Sequence, residues 1–128
     1  MGIDEPDIAP EAFLESVEMR IGEIVSVAEF PEARKDVYKL EVDFGTETLQ
    51  SAAGLTLYDE AELLGRQVVC VVNLGTVTIA GFESQCLVTG VDSAGRSPAG
   101  SRTQSDDGEG GIVHLQPERE VANVERIY

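Results

Sequence analysis

Between Met19 and Gly45 the chain alternates apolar and polar residues twice, on either side of one short basic turn, and this pattern narrows the fold more than any other. The period becomes 2 at Val17, where Val17, Met19 and Ile21 alternate with Glu18 and Arg20. Gly22 interrupts the run, which predicts a bulge or sharp bend, and Ile24–Val27 continues the strand. After the turn, Tyr38, Leu40, Val42 and Phe44 fall on one face and Lys39, Glu41 and Asp43 on the other. A long first strand bent at a glycine and followed by a clean alternating partner suits a small closed barrel.

The rest of the chain fills in the same architecture. Residues 9–16 carry a short helical pattern, with Ala12, Phe13 and Ser16 on one side. Thr46–Ala53 reads as a third, more polar strand, and Tyr58–Leu64 as one or two helical turns stopped by Gly65. Gln67–Leu74 is apolar on both faces and is expected to be buried or covered by a second subunit. Gly75–Gly81 reads as a loop, Phe82–Val91 as the next strand and Ile112–Leu115 as a short last one. Residues 93–111, rich in Ser, Gly, Asp and Arg, predict a long flexible loop. The expected fold is all-β, a five-stranded OB-type barrel over 17–128, with an N-terminal extension (1–16) that holds a short helix and a second helix between strands 3 and 4. Periodicity alone also admits another small barrel or a sandwich.

Charge is the second constraint. Nine Lys and Arg against 24 Asp and Glu give a net charge of −15, and only two of the cations are Lys, Lys35 and Lys39. The acids are dispersed rather than gathered in a tail, and 42% hydrophobic residues can supply a core. That combination points to a halophilic chain, since at ~1 M salt the Debye length falls to ~3 Å and self-repulsion is screened. An ordinary acidic protein is the alternative. No run approaches the ~20 apolar residues of a membrane helix. The acidic start MGIDEPDIAPEAF lacks the basic and apolar regions of a signal peptide, so a cytoplasmic location is expected.

Several separated blocks carry a resemblance. The run Ile21-Gly-Glu-Ile-Val, Phe30-Pro-Glu-Ala-Arg-Lys, Tyr38-Lys-Leu-Glu-Val-Asp-Phe-Gly, Leu63-Leu-Gly-Arg-Gln-Val, Val72-Asn-Leu and Ile79-Ala-Gly-Phe-Glu-Ser resembles the tRNA-binding domain family, and within it most closely the CsaA-type export chaperones. The similarity covers roughly residues 17–92 and, more weakly, the C-terminal part. It implies an OB-fold homodimer without enzymatic activity, binding unfolded or preprotein segments in protein export. The alternative it implies is a tRNA-binding protein or an RNA-tethering module built on the same barrel. Two departures stand out: Gly75-Thr76 and Ala80 occupy positions where relatives often carry cations, and Ala53-Gly54-Leu55 replaces a Ser-Gly-Leu.

Candidate binding residues follow from the pattern and the resemblance together. Arg34 and Lys35 on the turn, with Lys39 and with Arg20 on the preceding strand, would form a phosphate-binding patch, to which Asn73 and Ser84 add polar groups. Phe30 and Tyr38 would offer rings for stacking bases, as single-strand binders use. Both rings also fit core positions, and the cations could instead pair with Glu32 and Asp36. A peptide-binding groove would use Phe30, Ile79 and Phe82, with hydrogen bonds from Asn73, Ser84 and Gln85. Ile79 and Phe82 could equally close the barrel end or a dimer seam, where the 9–16 helix, the 67–74 strand and the apolar tail residues Val121, Val124 and Ile127 also point.

Nothing in the sequence favours catalysis or a cofactor. Centring the 75–81 loop on Thr78 sets Cys70 opposite Cys86, and both read as small core residues rather than a redox pair. Two Cys and the single His114 do not supply a recognisable zinc set, and His114 sits in an apolar strand. No Ser-His-Asp, Cys-His or phosphate-cradling glycine pattern is present.

Overall fold

The structure is a computed structural model and describes residues 4–93 and 111–128. Its elements are α1 (Pro10–Ser16), β1 (Met19–Glu29), β2 (Tyr38–Asp43), β3 (Thr48–Ala53), α2 (Glu60–Leu63), β4 (Gln67–Val71), β5 (Val77–Ile79), β6 (Phe82–Ser84), β7 (Leu87–Val88), β8 (Gly90–Asp92) and β9 (Ile112–His114). Five strands form an antiparallel sheet in the order β3-β2-β1-β4-β7, curled into a nearly closed barrel. The all-β, OB-like expectation therefore holds. Most of the loop expected over 93–111, residues 94–110, lies outside the described residues.

The 11-residue β1 organises the barrel because its two halves serve different neighbours. Met19–Glu23 pairs with β4, and Glu23–Glu29 pairs with β2. The extra residue of the strand is Val25, between the Ile24–Val42 and Ser26–Glu41 pairs, so the bulge expected at Gly22 lies three residues further on. Gly22 has a different role. A Cβ there would sit 2.5 Å from Val42 Cγ1 and 2.8 Å from Phe44 Cε1, so only glycine allows β2's core face to press this close. At the bulge, Ile24 bonds outside β2: its N–H donates to Arg66 O (2.9 Å) and its carbonyl accepts from Gly65 N–H (2.8 Å).

The core is the inner face of this curl: Ile24, Leu40, Val42, Phe44, Leu55, Leu63, Val68, Cys70 and Val88 are all buried. α2 plugs one end with Leu63, and its N-terminus is held by a capping box between Asp59 and Glu62. Gly65, at φ +87°, ends it as its position predicts.

Segment 72–91 departs from expectation. The loop at 75–81 contains β5, which forms a hairpin with β6, and the single strand expected over 82–91 is broken into β6, β7 and β8. Side chains cause the break. Ser84 Oγ accepts from Ala52 N–H (3.0 Å), and Gln85 Oε1 accepts from Gln50 N–H (3.0 Å), while Gln85 N–H donates to Gln50 O (2.8 Å). Ser51 Oγ donates to Cys86 O (2.7 Å). The barrel thus closes between β3 and the 84–86 corner largely through side chains, three of these four bonds using one, where a regular ladder would use backbone throughout. This detour moves the register, and Cys70 faces Val88 rather than Cys86.

The apolar tail docks on its own barrel. Val124 N–H donates to Ile21 O (2.7 Å), Ile21 N–H to Glu125 O (2.9 Å) and Ile127 N–H to Met19 O (3.0 Å), along the edge of β1 that β2 leaves open. Arg126 in turn donates to Leu14 O at the end of α1, a helix with no buried residue of its own.

Candidate functional site

The turn after β1 starts at a buried anchor. Phe30 is buried, and its carbonyl accepts from Ala33 N–H (3.2 Å), which turns the chain so that Arg34 and Lys35 stand exposed. Neither takes part in an ion pair among the described residues. Asp36, an expected partner, accepts from Thr56 Oγ1 (3.0 Å) instead. Beneath the two cations lies a cleft of about 570 Å³, walled by Glu32, Ala33, Arg34, Lys35 and Val37 on one side and by Thr78, Ile79 and Ala80 on the other. Its floor is aliphatic and its rim carries positive charge.

The predicted residues divide between two places. Phe30, Lys39 and Phe82 cluster beside this cleft: the two rings meet edge to face at 5.4 Å, and Lys39 Nζ lies 5.1 Å from one ring centre and 5.9 Å from the other. Lys39 is thus committed to a cation–π contact. Ser84 and Gln85 are close by, with Ser84 Oγ and Gln85 Oε1 both accepting from the backbone of β3. Arg20 and Asn73 are elsewhere. Arg20 pairs with Cys70 and Lys39's partner is Ala28, eight residues along β1 and about 26 Å away at the rise of a strand. Arg20 bonds Glu18 (2.9 Å) and Val124 O (3.0 Å), and Asn73 bridges Ser16 O and Glu18 N–H, both at 2.9 Å.

The rings are poor stacking platforms. Phe30 is 6% exposed, and Tyr38 Oη donates to Tyr58 O (2.8 Å). Burial first, then the carboxylates of Glu60, Asp59, Glu29 and Asp36, push the Tyr38 phenol above its ordinary range and keep it a donor. Thr78, Ala33 and Val37 were missed as cleft residues. For Thr78 the signal was the short alternation around Ala80-Gly81, hidden inside a segment read as loop; Ala33 and Val37 flank the Arg34–Lys35 pair, and that adjacency was their signal.

The remaining chemistry-bearing groups are internal. Cys70 and Cys86 are free and buried, and a hydrogen bond to Cys86, with burial, pushes the Cys70 thiol far up. His114 Nε2 lies 3.2 Å from an Arg66 guanidinium nitrogen, and its ring is 5.2 Å from that of Tyr58. Burial, then the Arg66 charge, holds its pKa below the usual value against the opposing bond to Leu115 O. Among the described residues no helix is long and apolar enough to cross a membrane.

Comparison with known proteins identifies the family and the fold. The family described as "Putative tRNA binding domain" matches residues 19–125. The methionine–tRNA ligase of Thermococcus onnurineus is 36% identical over 112 residues, which is 87% of this chain and 13% of that protein. The chain spans only 12–13% of the length of such ligases. Among solved structures, the chaperone CsaA of Bacillus anthracis superposes with a TM-score of 0.73 at 34% identity, over 95% of this chain and all (100%) of that one. The CsaA chaperone of Picrophilus torridus gives 0.74 at 27% identity, over 94% and 100%.

Proposed function

This chain belongs to the tRNA-binding domain family, and from that premise we propose that it is a non-catalytic binding protein whose cleft captures extended segments of unfolded or preprotein polypeptide. The observation that carries the reading is the pair of cations, Arg34 and Lys35, that have no ion-pair partner among the described residues and are set over an aliphatic cleft. In a chain of charge −15, exposed cations kept out of ion pairs favour an anionic or acidic ligand, and the apolar floor favours one with side chains to bury. The likeness to CsaA chaperones supports the same reading.

The second reading is tRNA binding on the same surface, favoured by the family and by the methionine–tRNA ligase relatives. It sits less easily with the rings, since Phe30 is buried and Lys39 already lies over both phenyl faces. The net charge repels phosphate in dilute salt, and concentrated salt removes most of the counterion-release gain. Binding would then rest on direct hydrogen bonds and stacking. A tethering role beside RNA-handling enzymes is a further alternative.

Titration with labelled tRNA and, separately, with an unfolded client peptide in multimolar KCl decides between them. Peptide binding weakened at least tenfold by Arg34→Ala/Lys35→Ala, by roughly 1.4 kcal/mol or more, supports capture; Phe82→Ala reports on the neighbouring rings. Binding of tRNA alone, lost in the double variant, sinks the capture reading. If neither binds, tethering takes its place. The proposal includes a cytoplasmic, salt-adapted homodimer, in which a second copy covers exposed Leu74, Leu87 and Val121; a stable monomer on sedimentation in high salt would refute that part.

A further inference from the structure

The hairpin of β5 and β6 turns on Ala80 and Gly81, both at positive φ (47° and 83°). Two consecutive positive-φ residues in a two-residue loop make a type I′ turn. In such a hairpin the residues flanking the turn exchange both backbone hydrogen bonds, and the next pair exchanges none. Ile79 and Phe82 are the flanking pair, so Thr78 and Glu83 are the next. The N–H and C=O of Thr78 therefore point away from β6.

They point to an open edge. The hairpin is a two-stranded sheet, and it is β6, with the corner after it, that is bonded to β3 through Ser84 and the carbonyl of Glu83. Thr78 is exposed, Val77 is 58% exposed, and no backbone group of residues 77–79 bonds outside the hairpin among the described residues. Edge strands are usually blunted by charge, proline or a covering element. Val77-Thr78-Ile79 has neither charge nor proline, and what faces it across the cleft is the Arg34–Lys35 rim.

We propose that β5 is an acceptor edge: an extended polypeptide adds beside Val77–Ile79 through the backbone of Thr78, with apolar side chains on the Ala33–Val37–Ile79 floor and carboxylates against Arg34 and Lys35. The inference rests on the capture reading above and names its ligand class, extended segments that mix apolar and acidic residues. Main-chain pairing supplies affinity without demanding one sequence, and the floor and rim supply the preference. A nucleic acid strand has no backbone that can extend the sheet.

The test uses the full chain and a short fluorescein-labelled peptide alternating leucine and aspartate, followed by anisotropy in multimolar KCl. Thr78→Pro removes an N–H that no intrahairpin bond uses, at an edge position that tolerates proline. It should weaken binding by about tenfold, whereas Thr78→Val should not. The same peptide N-methylated at its central amides should also lose about tenfold. In the unmodified protein, peptide should slow hydrogen exchange at the Thr78 amide, a readout independent of any variant. Equal affinity for the N-methylated peptide, with no protection of Thr78, overturns strand addition even if Arg34→Ala/Lys35→Ala abolishes binding, in which case capture itself survives. No binding of any peptide overturns both.

Discussion

Replacing Gly22 by alanine tests how the barrel bends. The new methyl would lie 2.5 Å from Val42 Cγ1, 2.8 Å from Phe44 Cε1 and 3.1 Å from Phe44 Cδ1. Carbon atoms pack best at about 3.5–4.0 Å, so the first contact is short by about 1 Å. Neither neighbour can swing aside, because Val42 is 0% and Phe44 2% exposed and both belong to the central cluster. Overpacking of this kind costs about 1–3 kcal/mol. A 2.5 Å contact falls in the upper half of that range, and alanine recovers about 0.4–1 kcal/mol by restricting the unfolded chain, which leaves a net loss of about 1–2.5 kcal/mol. Urea denaturation at fixed KCl should show a lower midpoint with an unchanged slope, and the melting temperature should fall by roughly 4–10 °C. Val42→Ala removes the closest atom, so the double variant should be more stable than the sum of the singles by at least about 0.5 kcal/mol. A Gly22→Ala protein within about 0.5 kcal/mol of the parent, or a strictly additive pair, would refute the close-approach argument.

Two further outcomes follow from the closure and from His114. Ser84→Ala leaves the Ala52 N–H without its partner and should destabilise by about 1–3 kcal/mol, measured by the same denaturation; an unchanged midpoint would mean that the corner does not close the barrel. His114 has a folded pKa below its ordinary 6.5, so the unfolded chain takes up the proton first; stability should be complete above about pH 6.5 and decline as pH falls from there through the lower folded value. The chain's only histidine makes the folded titration directly visible by NMR, and a His114→Gln protein with the same acid-side decline would show that other groups cause it.

The alternation of Tyr38, Leu40, Val42 and Phe44 was enough to define a buried strand face, because side-chain direction in a strand follows from sequence position alone. Gly65 stopping α2, the apolar character of β4 and the exposed Arg34–Lys35 turn were legible for similar local reasons, and the spaced blocks identified the family. What tertiary structure decided was where chain-distant segments meet. The bulge falls at Val25, while Gly22 serves a close contact with Val42 and Phe44. Arg20 was separated from Lys39 by the length of a strand that serves two neighbours in turn. Ser84 and Gln85, which looked free to hold a ligand, were drawn onto Gln50 and Ala52 more than thirty residues away, and that detour both broke the strand expected over 82–91 and shifted the cysteine register. Periodicity reports which way a side chain points; it carries no information on which distant backbone group will claim its hydrogen bonds.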